Sequence, residues 1–305
     1  MHDAAAVTPE RIEAGFRERG FVCTGEVATT LFLVEQLGKP LLLEGPPGVG
    51  KTEIGKLWAV FHQAELIRLQ CYEGLDEAKA LYEWAYGKQM LYTQLLREKT
   101  GDLLADTRDL PSAVRRLAGQ ADAFFSREFL LERPLLRAIT AADPVVLLVD
   151  EVDRADEEFE AFLLELLSDY QVSIPELGTI RASRPPRVVL TSNDSRDLSD
   201  ALRRRCLYLY VDYPGFDDEL RIVESRVPGI ARGLAERIVR FSQAVRRADL
   251  RKQPGIAEVL DWALALLAVG ADELSPETLR RTLGALLKNR EDLESVLANL
   301  SRLRS

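Results

Sequence analysis

The chain has 305 residues, of which 47% are apolar and 29% charged, and its formal net charge at pH 7 is −9. This composition is typical of a soluble globular protein with one large domain or two modest ones, and the acidic charge argues against sequence-independent nucleic-acid binding. Three scattered cysteines, no signal peptide and no apolar run of membrane-spanning length predict a cytoplasmic protein without a membrane span.

The predicted elements begin with helices over residues 1–38, the first of them starting at Thr8-Pro9-Glu10. Five short apolar runs follow and alternate with helical stretches, which is the pattern of a parallel sheet flanked by helices. The predicted strands are Pro40–Leu43, Leu66–Gln70, Pro144–Val149, Arg187–Thr191 and Leu207–Val211.

Three other segments have distinct patterns. The stretch Glu77–Thr140 is predicted to be helical, and Ser168–Ala182 alternates apolar residues around a proline and a glycine, as a β-hairpin does. Beyond Pro214 only helical patterns remain. The sequence therefore predicts an α/β domain over residues 1–214 and an all-helical domain over residues 215–305.

The run GPPGVGKT at Gly45–Thr52 fits the phosphate-binding pattern G-x-x-x-x-G-K-[ST]. It lies between a predicted strand and a helix, so its glycines let successive N–H groups point at phosphate oxygens at the helix N-terminus. Lys51 would add a point charge, and Thr52 would offer its hydroxyl to Mg²⁺. The predicted nucleotide-binding residues are Gly45, Pro46, Pro47, Gly48, Val49, Gly50, Lys51, Thr52 and Glu53.

A second motif, VVLLVDE at Val145–Glu151, is an apolar strand that ends in two carboxylates. Asp150 is a candidate to hold Mg²⁺ through water, and Glu151 to orient or deprotonate the water that attacks a phosphate. The alternative is a pair of capping carboxylates before the next helix. Together with the phosphate-binding run, the motif predicts ATP hydrolysis, and the lack of an Asn-Lys-x-Asp motif favours ATP over GTP.

Two further polar elements follow later strands. Asn193, after RVVLTS, is a candidate to hold the attacking water, although an isolated asparagine after a strand is usually a turn residue. Arg204 and Arg205, in ALRRRC before the last strand, are candidates to reach the γ-phosphate of a neighbouring subunit. Arg203 is interpreted as a surface residue.

The order of these motifs, followed by helices, resembles that of the AAA+ ATPases. The wording of DEVDRAD at Asp150–Asp156 and QPGIAEVLDW at Gln253–Trp262 is similar to the MoxR family, in particular its CoxD-like branch, the ATPases of carbon monoxide dehydrogenase maturation. The resemblance implies a five-stranded parallel sheet with a helical lid, and a ring that is usually hexameric. It also implies a von Willebrand factor A domain partner and remodelling of, or metal-cofactor insertion into, a client metalloenzyme.

The resemblance implies a role for each of these positions. Lys51 and Thr52 belong to the phosphate loop, and Asp150 and Glu151 serve the metal and the attacking water. Asn193 is the sensor, and Arg204 or Arg205 is the arginine finger. Many AAA+ lids also place an arginine after a Ser-Pro at the start of a lid helix. Here the segment reads Gln253-Pro254-Gly255, so that arginine is absent.

Two other features allow more than one interpretation. Tyr82, Trp84 and Tyr86 follow the second strand, where they are candidates to line a pore or to pack in the core. The acidic run Asp153–Glu160 is predicted to be the solvated start of a helix, where acidic residues also suit the helix dipole.

Two other functions compete with the remodelling ATPase. A P-loop small-molecule kinase would share the phosphate-binding run, but a monomeric kinase needs no arginine that acts in a neighbouring subunit. A DNA-acting AAA+ motor is disfavoured by the acidic charge.

Overall fold

A computed structural model describes residues 7–92, 94, 126–175 and 177–300. Five parallel strands form one sheet in the order β2-β5-β8-β1-β9. β5 is buried along its whole length, because a parallel sheet is covered on both faces. All five predicted strands are confirmed to within one residue. The strands are β1 Leu41–Glu44, β2 Glu65–Gln70, β5 Val145–Asp150, β8 Arg187–Ser192 and β9 Leu207–Tyr210.

Several of the helices before β9 begin at a capping side chain. Thr8, Thr24, Asp156 and Ser199 each accept a hydrogen bond from a backbone N–H three residues later, which stabilises the first turn. The helices before β9 are α1 Pro9–Arg17, α2 Gly25–Leu37, α3 Lys51–Phe61, α4 Glu77–Ala80, α5 Pro134–Thr140, α6 Glu157–Asp169 and α7 Asp200–Arg205.

The predicted helical stretch Glu77–Thr140 is wrong in part. β3 (Tyr82–Trp84) pairs antiparallel with β4 (Leu130–Glu132), with Trp84 opposite Leu130. A local helical pattern cannot reveal a strand whose partner lies more than forty residues away. Residue 93 and residues 95–125 of this stretch lie outside the described residues. The predicted hairpin is confirmed as β6 (Gln171–Ile174) paired with β7 (Gly178–Arg181).

The chain divides into two compact units, and the first contains residues 1–57, 191–194 and 207–305. Its C-terminal helices share a core built around Trp262, whose indole N–H donates to Thr282 Oγ1 at 3.0 Å. Inside the same helices, Arg246 makes a buried bidentate ion pair with Glu219, at 2.6 and 2.8 Å. These helices are α8 Phe216–Arg226, α9 Arg232–Arg246, α10 Ile256–Ala268, α11 Pro276–Leu286 and α12 Arg290–Ala298.

The second unit contains residues 58–190 and 195–206, with β2, β5, most of β8 and both antiparallel strand pairs. These two units do not correspond to the predicted domains, residues 1–214 and 215–305, so the boundary near Pro214 stays a prediction. Among the described residues, no helix combines the length and the apolar character that crossing a membrane requires.

Candidate functional site

The loop between β1 and α3 depends on three glycines in the left-handed half of backbone space. Gly45, Gly48 and Gly50 have φ values of +148°, +79° and +101°, which residues with a side chain rarely adopt. A Cβ on Gly45 would lie 2.1 Å from the carbonyl oxygen of Val211. The backbone therefore takes a path here that no other residue type allows.

Lys51, the first residue of α3, closes this loop. Its ammonium Nζ donates to the carbonyl oxygens of Gly45 and Pro46, each at 2.6 Å, and the residue is only 5% exposed. A buried positive charge is thus held inside a glycine-rich loop at the N-terminus of an eleven-residue helix. That arrangement suits a polyanion such as a phosphate chain, because helix dipole, backbone N–H groups and ammonium all favour negative charge.

The same loop touches the segment that begins α10. The carbonyl oxygen of Gly48 accepts from the N–H of Ile256 at 3.0 Å. A Cβ on Gly255 would lie 2.8 Å from Gly48 Cα. Glu258 accepts from the N–H of Gly255 at 3.1 Å and so caps α10. The sequence showed that this segment has no arginine, but it did not reveal the contact with the phosphate loop. A glycine where related lids have an arginine was the available signal, because glycine allows two backbones to approach closely.

An aromatic side chain also borders the loop. The Phe21 ring lies 3.5 Å from the position of a Cβ on Gly50. Phe21 also lines a pocket of about 640 Å³, together with Val22, Cys23 and residues of α8 that include Arg221. A pocket of this size suits a small organic ligand. The sequence contained no recognisable motif for it.

Asp150 ends β5 as a buried carboxylate, 2% exposed, paired with an arginine of the neighbouring strand. Arg68 donates to Asp150 Oδ2 from Nη2 at 2.5 Å and from Nε at 3.1 Å. Burial and, to a lesser extent, the nearby Asp150 carboxylate together raise the pKa of the adjacent Cys71 thiol to about 12. Cys71 is therefore a protonated, unreactive thiol at neutral pH.

Glu151 has an unusual backbone. Its φ of +55° and ψ of +51° place it in the left-handed region, where only a few per cent of non-glycine residues are found. Its carboxylate pairs with Arg154 Nε at 2.9 Å, and both side chains are partly exposed to solvent. Such strain recurs at functional sites.

The turn after β8 is fastened to the turn after β5. Ser195 donates to Asp153 Oδ2 from its N–H at 3.0 Å and from its hydroxyl at 2.5 Å. Asn193 is half-buried, two residues before this anchor. Asp153 itself is buried, so the prediction of a solvated acidic run is wrong for it.

The prediction is also wrong for Glu160, which is buried and pairs with Arg196 at 2.5 Å. Its carboxylate also accepts from the N–H of Ser199, the cap of α7. Both acidic residues hold later loops in place, and a single-sequence charge pattern does not reveal such distant partners.

The two finger candidates in α7 differ in their surroundings. Arg205 donates from Nε to the Ser168 hydroxyl at 2.8 Å and from Nη1 to the carbonyl of Ala201. The Arg204 side chain is 82% exposed, and the nearest carboxylate oxygen, on Asp200, is 3.9 Å away. Arg203 is half-buried rather than exposed at the surface. Arg204 is therefore the better placed of the two to reach another molecule.

The three aromatic residues after β2 do not share one environment. Trp84 is 8% exposed and packs edge-on against Tyr82, with ring centroids 5.9 Å apart. Tyr86 is 64% exposed. The core interpretation therefore holds for Trp84. Of the three residues, Tyr86 has the most exposed side chain for contacting a polypeptide in a pore.

Comparisons with known proteins agree with this architecture. The AAA domain (dynein-related subfamily) matches residues 40–206, more than half of the chain. The denitrification regulatory protein NirQ of Pseudomonas aeruginosa is 25% identical over 244 residues, which cover 77% of this chain and 78% of NirQ.

Solved structures of two Thermotoga maritima RuvB mutants align with most of this chain. One has a TM-score of 0.50 at 18% identity and covers 97% of this chain and 79% of its own. Another has a TM-score of 0.49, also at 18% identity, with coverages of 97% and 78%. The domain match and the loop geometry together show that the chain belongs to the AAA domain family, dynein-related subfamily, and that it is an ATP hydrolase with the AAA+ P-loop fold.

Proposed function

We propose that this chain is a MoxR-type ATPase of the CoxD-like branch, which uses ATP to remodel a client protein or to assist metal-cofactor insertion. The observation that carries nucleotide binding is the glycine loop closed around the buried Lys51 ammonium. NirQ is by its name a denitrification regulatory protein. We propose that the nucleotide is bound by Gly45, Pro46, Pro47, Gly48, Val49, Gly50, Lys51, Thr52 and Glu53.

The chemical step would use the ends of two neighbouring strands. β5 and β8 are adjacent, with Val149 opposite Leu190, and their carboxyl ends lead into Glu151 and Asn193. Glu151 would take a proton from the attacking water, and Asn193 would hold that water. The oxygen donors of Asp150 and Thr52 are of the kind Mg²⁺ prefers. When bound, Mg²⁺ neutralises charge on the phosphates.

The pocket beside Phe21 would hold the nucleoside base. Its wall reaches the phosphate loop at Gly50, so a base seated there stays within reach of the phosphates. Its size is within the range of small-molecule sites.

We further propose a ring, usually hexameric in the resembling family, in which residues 215–305 form the lid of an ATPase domain over residues 1–214. Arg204 or Arg205 would complete the site of the next subunit. A von Willebrand factor A domain protein is the proposed partner, a metalloenzyme the proposed client, and the cytoplasm the proposed location. Two measurements test the alternative functions. A ring that assembles with ATP, seen in the subunit stoichiometry, would argue against a small-molecule kinase. An ATPase rate that DNA does not change would argue against a DNA motor.

Replacing Lys51 with Ala tests nucleotide binding directly. The loss of a charge-assisted phosphate contact worth about 3 kcal/mol should lower ATP affinity about 100-fold. Titration with a fluorescent ATP analogue measures the affinity. The matched control is Lys56→Ala, which removes an exposed lysine from the same helix and should leave affinity unchanged. Equal affinities in both variants would contradict the phosphate-binding assignment.

Arg68 gives a second test, because it occupies the carboxylate assigned to the metal. Arg68→Ala removes the hydrogen bonds that Arg68 makes to Asp150, so the Mg²⁺ concentration needed for half-maximal ATP binding should fall about threefold, the scale of a partly exposed ion pair. Mn²⁺ binding followed by electron paramagnetic resonance gives a readout independent of turnover. Arg137→Ala, which breaks an exposed ion pair with Glu65, is the control. A raised metal requirement would mean that Arg68 orients Asp150 for the metal.

A further inference from the structure

We infer that Gly255 and Ile256 position the phosphate loop through backbone contact, in place of the lid arginine that this chain lacks. This rests on the proposed nucleotide site and names the residues that position its loop. The two residues are positioning residues, since they act on the loop and not on the reacting atoms.

The peptide bond between Gly48 and Val49 links the contact with α10 to the phosphate-binding side of the loop. The carbonyl of Gly48 is held by the N–H of Ile256 at 3.0 Å. Because a trans peptide is planar, its C=O and N–H point in opposite directions. Holding the Gly48 oxygen therefore fixes the Val49 N–H, one of the loop's potential phosphate donors, so that it points away from α10.

The closeness of the contact requires glycine on both sides. A Cβ on Gly255 would lie 2.8 Å from Gly48 Cα and 3.1 Å from the Gly48 oxygen. A Cβ on Gly48 would lie 3.0 Å from Gly255 Cα. A methyl group at position 255 must therefore push the two backbones apart and break the hydrogen bond.

A buried network holds the Pro254-Gly255 turn in place. Arg246 Nε donates to the carbonyl of Pro254 at 2.8 Å, and its guanidinium is fixed by the buried pair with Glu219. The guanidinium also lies 4.6 Å from the Tyr213 ring centroid. From the other side, Glu258 accepts from the N–H of Gly255. The turn is therefore preorganised by its own helices.

The composition of this segment determines whether the contact can distinguish ATP from ADP. Residues 253–258 read QPGIAE, so the segment brings no cationic side chain to the phosphates. A contact made only to the loop supports any nucleotide that the loop binds. It should therefore contribute equally to ATP and ADP affinity, and it should affect KM more than kcat because it acts equally before and during reaction.

The experiment compares two variants with a matched control. Gly255→Ala pushes the backbones apart. Ile256→Pro replaces the donating N–H with a ring carbon, which can neither donate to the Gly48 oxygen nor approach it as closely, at the first position of α10, where the helix itself tolerates proline. Gly284→Ala, in α11 with no atom within 4 Å of the added methyl, is the control. Calorimetric titration with ATP and ADP measures affinity, and thermal unfolding verifies folding.

Both test variants should bind ATP and ADP about fivefold more weakly, the scale of one net hydrogen bond, with kcat nearly unchanged. Gly284→Ala should match the parent. Unchanged affinity in folded Ile256→Pro would overturn the inference, and so would a loss confined to ATP, because γ-phosphate would then be sensed directly. A parent that binds neither nucleotide would instead overturn the proposed function.

Discussion

Glu151→Gln is expected to keep ATP bound and to lower turnover about a thousandfold. The amide fills the same volume as the carboxylate but is a poor base for the attacking water, and general base catalysis contributes about 10²- to 10⁴-fold. Binding should persist, since the phosphate loop is unchanged. Single-turnover hydrolysis of radiolabelled ATP, alongside equilibrium titration, separates the two effects.

The control is Glu157→Gln, which makes the same chemical change at an exposed position on the first turn of α6. It should hydrolyse ATP at the parent rate. If Glu151→Gln also does so, then Glu151 is not the catalytic carboxylate.

Arg204→Ala should lower turnover on the order of 10³-fold while nucleotide affinity stays nearly intact. The reason is that a finger acts on charge that develops only in the transition state, on the neighbouring subunit's phosphates. Arg205→Ala should have the smaller effect, because Arg205 is engaged with Ser168 of its own chain. If Arg205→Ala is the more damaging, the assignment within the pair is reversed.

Mixed rings test whether the arginine acts between subunits. Arg204→Ala/Arg205→Ala subunits mixed with Glu151→Gln subunits should regain part of the activity, since some interfaces then pair an intact glutamate with intact arginines. Light scattering with ATP verifies co-assembly. Arg184→Ala, an exposed arginine before β8, is the control for loss of charge. No rescue in rings that have co-assembled would mean that the arginines act within one chain or are structural.

The centre of the sheet was predictable because β1, β5 and β8 are nearly continuous apolar runs. A strand buried on both faces, such as Val145–Asp150, has no polar alternation to obscure it. The phosphate loop was predictable for a related reason: its glycines serve backbone geometry, and such geometry demands specific residues at specific spacing. The roles assigned to Asn193, Arg204 and Arg205 stay predictions.

What the sequence did not reveal depends on partners far away in the chain. Asp153 is buried because Ser195, 42 residues later, donates to it twice. The strand at Tyr82–Trp84 exists because Leu130–Glu132 pairs with it. The contact between Gly48 and Gly255 joins residues more than two hundred positions apart. Periodicity and local propensity contain no information about such pairs.

The left-handed backbone at Glu151 has an evolutionary consequence. A non-glycine residue in that conformation costs about 1 to 2 kcal/mol, and glycine or asparagine would relieve much of it. Neither could act as the general base proposed for Glu151. Under that proposed role, a population selected only for thermal stability would drift towards variants at position 151 that fold better and no longer turn over, whereas selection for activity would retain the glutamate.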